Sequence, residues 1–153
     1  MIEIIFTSRP LSWKPISWVN AITRIKTQSP FDHVSLKYKG YIHESTAGKG
    51  VHKIHFDKWV KGREGTYIIS YEIPDRHLVS FSKFLDLQGV PYDYWANIYY
   101  LFGWKKMLKK RSTKRMFCSE LIAEMLHLEN SHEYTPDDLE RILRKYNSYI
   151  DEI

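Results

Sequence analysis

The 153-residue sequence predicts one α+β domain, spanning 1–153, with a central, mostly antiparallel sheet packed by helices. Three observations carry this reading. Helical sequence follows a short first strand, β-formers fill the middle of the chain, and helical periodicity returns at the end. Two β-rich runs, 33–40 and 41–46, meet at Lys39-Gly40 as a hairpin would. No internal repeat, low-complexity stretch or Pro/Gly/Ser-rich linker divides the chain.

The elements follow in order. "IEIIFT" (2–7) reads as a strand, and "SRPLSWKP" (8–15), with two prolines, as a connection. Residues 15–26 read as a helix: Pro15 suits a first turn, and Ile16, Val19, Ile22 and Ile25 fall near one face. After the turn "QSPFD" (28–32), Val34, Leu36 and Tyr38 alternate along a half-buried strand. "GVHKIHF" (50–56) is a third middle strand, "DKWVKG" (57–62) a helical turn, and "TYIISYEI" (66–73) a strand stopped by Pro74. Helices are expected over 75–89, ending at Gly89; within 90–104 after Tyr92; over 117–129; and over 134–146, where Thr135, Pro136, Asp137 and Asp138 form a strong helix start.

Hydrophobic residues make up 43% of the chain, enough for a sizeable core, and the formal net charge of +5 favours anionic partners without choosing among them. The single cysteine excludes an intramolecular disulfide and any multi-cysteine zinc site, and fits a reducing compartment. The N-terminus lacks the apolar core of a secretory signal, and no stretch is long and apolar enough to span a membrane. A soluble, cytoplasmic protein is expected.

That one cysteine, Cys118, opens the helix in "RMFCSELIAEML" (115–126). Taken alone, a free cysteine in a small domain is a small hydrophobe. At a helix start the backbone amides favour a thiolate, and a nucleophilic thiolate also needs a base and a group that orients the base. Of seven histidines, His33 is the best placed, at the mouth of a strand just after a turn. With the hairpin centred on Lys39-Gly40, His33 lies opposite a residue near 46. Glu44 is then its diagonal neighbour on the same face, able to hold the imidazole. His43 and Ser45 are adjacent polar alternatives.

These pieces resemble a known family. "LQGVPYDYWANIYY" followed by "RMFCSELIAEML" is similar to the segment of NlpC-type papain-like amidases that runs from a Gly-x-Pro-Tyr turn to a Cys-Ser pair opening a helix. In ordinary members the histidine follows the cysteine. Here "FDHVSLKYKGYIHEST" precedes it, an order that resembles the circularly permuted branch: the YiiX-like proteins and, more distantly, the lecithin:retinol acyltransferase relatives. "YIHESTAGKGVHKIHFDKW" and "YTPDDLE" resemble further stretches of that branch, so the likeness runs from about residue 31 to 140.

The resemblance implies a papain-like, circularly permuted fold and a cysteine hydrolase (amidase, peptidase or acyltransferase). Its roles would be Cys118 as nucleophile, His33 as base, Glu44 as orienting residue and Tyr92 as a pocket residue. Backbone amides at the helix start would hold the oxyanion, with Ser119 beside them. It implies an amide or ester substrate, whether peptide, peptidoglycan or lipid acyl group, and no cofactor. Two features depart from the family: Ser35 stands where a Gly is common, and the insertion between Tyr92 and Cys118 is long, aromatic and basic.

That insertion supports a competing function. A catalytically idle papain-like module would use the surface of 92–116 to bind an anionic membrane or, less favourably, nucleic acid. A metal site built from His43, Glu44, His52 and His55 is not expected, since His52 and His55, three apart on a strand, point to opposite faces.

Overall fold

The computed structural model describes residues 1–8, 30–63, 66–74, 81–95 and 114–151. Five strands form one antiparallel sheet: β1 (Ile2–Ser8), β2 (His33–Tyr38), β3 (Tyr41–Thr46), β4 (Gly50–His55) and β5 (Tyr67–Ile73), in the order β4-β3-β2-β1-β5. Among the described residues, four helices accompany it: α1 (Phe56–Lys61), α2 (Phe81–Leu87), α3 (Cys118–Met125) and α4 (Pro136–Asp151), with a 3-10 turn at Ser131–Glu133. The chain is therefore α+β with an antiparallel sheet. Among the described residues, no helix is long and apolar enough to cross a membrane.

The hairpin forms where the sequence places it. Lys39 and Gly40 both take positive φ, 47° and 79°, the geometry of a two-residue turn that matches strand twist. The resulting register sets Tyr38 against Tyr41, Lys37 against Ile42 and Leu36 against His43.

The central strands are covered on both faces. On one face Ile4, Phe6, Val34 and Leu36 pack with Leu121, Ile122 and Met125 of α3 and with Leu139 and Leu143 of α4. On the other, Ile5 and Ile42 pack under Trp59 of α1. The small second cluster fits α1, which turns directly out of β4 and ends at Gly62.

The strands and α1 begin and end within two residues of expectation, whereas the later helices differ by more. The helix expected over 117–129 ends at Met125 and that over 134–146 runs on to Asp151. Of the helix expected over 75–89, residues 81–87 are helical, and Gly89 follows with φ of 88°. The helix expected over 15–26 and most of the basic aromatic segment 92–116 lie outside the described residues.

Candidate active site

Cys118, His33 and Glu44 come together in space, although 85 positions separate His33 from Cys118. Strand alternation brings the first pair into contact. His33, Ser35 and Lys37 share one face of β2, and the register puts Ile42 and Glu44 on the same face of β3. His33 Nε2 lies 2.8 Å from Glu44 Oε2. An ionised carboxylate only accepts, so Nε2 donates and Nδ1 is left for the thiol. Cys118 lies near enough to the imidazole to raise its pKa, together with Glu44. It arrives from the first residue of α3, the helix that packs on the opposite face, so the pair meets where β2 begins.

Glu44 is 4% exposed and could not stay ionised there without strong partners. It has four. Besides His33, Oε2 accepts from Trp59 Nε1 and from the Arg63 guanidinium, each at 3.0 Å. His52 Nε2 stands 3.5 Å from Oε1. Arg63 is fixed in turn: it stacks over the Trp59 ring at 4.3 Å and donates to Thr7 Oγ1 at 3.3 Å. Burial alone would raise the Glu44 pKa. Hydrogen bonds from His33 and His52, with the charges of His33 and Arg63, hold it well below the usual carboxylate range.

The histidines respond to the same charge. Burial disfavours the His33 imidazolium, but Cys118 and Glu44 outweigh it and raise His33 to about 9. The hydrogen bond to Glu44 likewise raises His52. His43 lies on the other face, paired with Leu36, its ring edge-on to Phe84 at 4.4 Å. Burial and the Lys53 charge lower it to about 4. Of the neighbouring polar alternatives on β3, Glu44 thus meets His33. His43 and Ser45 face the main core, where Ser45 Oγ donates to the Met116 carbonyl at 2.7 Å.

Two further residues have distinct placements. Ser119 is fully buried and its hydroxyl donates to the Tyr134 carbonyl at 2.7 Å. Expected beside an oxyanion, its side chain instead ties α3 to the connection before α4; its one proton is already committed. Tyr92 pairs through its backbone with Met116, two residues before Cys118, and borders a cavity with Gly50, Gly89, Tyr94 and Arg115. Ser35, where the resembled family often has glycine, is buried opposite Ile5 and leaves the contact between His33 and Glu44 intact.

The first intrahelical bond of α3 is Leu121 N–H to the Phe117 carbonyl at 3.1 Å, so the amides of Cys118, Ser119 and Glu120 precede it. Glu120 Oε2 accepts from the Phe117 amide at 3.4 Å and fixes the approach to the helix. Among the described residues, no group of three or more His, Cys, Asp or Glu side chains is disposed to hold a metal ion.

Sequence reasoning missed Trp59, Arg63 and His52. Each had a signal. Trp59 and Arg63 are four apart across a helical turn, and His52 pairs directly with Glu44 between β3 and β4. A buried acid in a strand demands donors, and these were the nearest ones. Comparison with family models, curated proteins and solved structures finds no match for the chain.

Proposed function

We propose that this protein is a thiol hydrolase or acyltransferase that cleaves an amide or ester through Cys118, His33 and Glu44, on a permuted papain-like (NlpC-type) arrangement. The observation that carries the reading is His33 itself, a buried imidazole hydrogen-bonded to Glu44 and raised in pKa by both Glu44 and Cys118. The order of the three residues along the chain supports it, as does the thiol's place at a helix start.

A His33 raised to about 9 favours an imidazolium at neutral pH, the partner that stabilises a thiolate. The thiolate attacks the carbonyl carbon and forms a C–S bond. The oxyanion accepts hydrogen bonds from amides at the start of α3. On collapse the C–N or C–O bond breaks, and His33 gives its proton to the departing amine or alkoxide. Neutral His33 then takes a proton from water, or from an acceptor alcohol or amine, as its oxygen or nitrogen attacks the thioester. The second collapse restores thiolate and imidazolium. Glu44 keeps Nε2 protonated and the ring in plane throughout.

The competing reading is a thiol that only packs; its 5% exposure and its place in the main cluster favour that. Intact mass spectrometry after exposure to p-nitrophenyl butyrate separates the two. One acyl group on Cys118 in the wild type, and none in Cys118→Ser, is the expected result. A wild type that stays unmodified by this ester and by a panel of peptide, peptidoglycan and lipid acyl substrates overturns the proposal, and leaves a binding module as the better account.

A further inference from the structure

A cavity of about 390 Å³ opens between the turn that leads into β4 and the segment that leads to α3. Its walls carry two cations, Lys49 and Arg115, and two phenols, Tyr92 and Tyr94; among the described residues, no carboxylate lines it.

The cavity is built, not a gap between loose loops. Gly50 takes φ of +68°, and a Cβ there would come within 2.2 Å of the Val90 carbonyl. Across this approach Val51 N–H donates to Val90 O at 2.8 Å and Gly89 N–H donates to Val51 O at 2.9 Å. Only glycine lets the two backbones close so tightly.

Both sides of the cavity connect to the catalytic groups. On one side, Met116 N–H donates to Pro91 O at 3.0 Å and Asp93 N–H to Met116 O at 3.3 Å, which fixes Tyr92 two residues from Cys118 in the paired segment. On the other, His52 Nδ1 hydrogen-bonds the Gly50 carbonyl at 2.9 Å while its Nε2 faces Glu44. A ligand held here lies against the segments that carry the thiol and the carboxylate.

We propose that this cavity is the substrate subsite and that it takes an anionic group, a carboxylate or phosphate, carried by the acyl substrate near the scissile carbonyl. The inference rests on the acyl-transfer reading of Cys118. Lys49 and Arg115 supply charge, and the phenols supply hydrogen bonds and a flat apolar wall.

The test compares a neutral ester, p-nitrophenyl butyrate, with the mono-p-nitrophenyl esters of succinic and glutaric acids. In the wild type, kcat/KM for at least one diacid ester should exceed that for butyrate roughly tenfold or more. Lys49→Ala and Arg115→Ala should each bring that ratio toward one, and Lys49→Glu should invert it. Acylation of Cys118 by all three esters with no preference, or with a preference that neither alanine variant moves, overturns the subsite and leaves the catalytic reading standing. If none of the three esters acylates Cys118, the substrate subsite is overturned, and the catalytic reading then stands or falls on the wider panel of peptide, peptidoglycan and lipid acyl substrates.

Discussion

Glu44 is the residue on which the site turns. Among the described residues it is the one carboxylate facing two histidines and an arginine, and its partner Arg63 is itself 8% exposed. Removing its charge leaves a buried guanidinium uncompensated. Glu44→Gln, close in shape, should lower unfolding stability by about 3 kcal/mol, read from urea denaturation. It should also bring His33 back toward its ordinary value, read from imidazole resonances in an NMR titration. His52→Ala keeps Arg63, Trp59 and His33 on the carboxylate, so the stability loss should be smaller, about 1 kcal/mol.

The sign of the pH dependence follows from the same contacts. His33 is raised from 6.5 to about 9, so its contribution to stability is complete below 6.5 and is lost as pH rises through 9. Glu44 is depressed from 4.5, so its contribution is complete above that value and fades as pH falls below it. The stability of wild type relative to His33→Gln, measured by urea denaturation, should therefore be greatest near pH 6 and shrink toward pH 9. A gap that widens with rising pH would reverse the assigned sign.

Among the elements, α1 and β4 matter more than their length suggests. α1 is six residues long, yet it delivers Trp59, and the turn after it delivers Arg63. Trp59→Ala removes both a donor to Glu44 and the cover over Ile5 and Ile42, and should cost about 3–5 kcal/mol. At the far end of the chain, Thr135 caps α4: Asp138 N–H donates to its Oγ1 at 3.2 Å, and Thr135 N–H donates to Asp138 Oδ2 at 3.0 Å. Thr135→Ala should cost about 1 kcal/mol without altering the reactivity of Cys118, because the cap touches none of the three site residues.

Legibility divides along the same line. The contact between His33 and Glu44 was readable because one short turn with two positive-φ residues fixes the register over eleven positions. The cap at Thr135 was readable because its signal is local. The donors around Glu44 were not read, since hydrophobic pattern marks Trp59 as core and Arg63 as surface; only the buried charge explains why an arginine turns inward. Ser119 was placed by its neighbour in sequence, whereas its hydroxyl answers to Tyr134, fifteen residues on.

For the whole molecule, the site exists only when distant segments meet. The hairpin supplies His33 and Glu44, α1 and its following turn supply donors to Glu44, and α3 brings Cys118 from the opposite face of the sheet. Chain pattern alone could not show the last step, because no local rule links positions 33 and 118. The resemblance to permuted papain-like proteins supplied that link as an expectation. The most direct test of the account is the iodoacetamide alkylation rate of Cys118 at pH 7 in wild type and His33→Ala, both verified as folded by circular dichroism. Wild type should react faster than a model thiol, and His33→Ala should lose most of that advantage. The advantage should also vanish in urea at the midpoint of unfolding. A thiol that stays inert until the protein unfolds, or whose rate ignores His33, would contradict the account and identify Cys118 as a core residue.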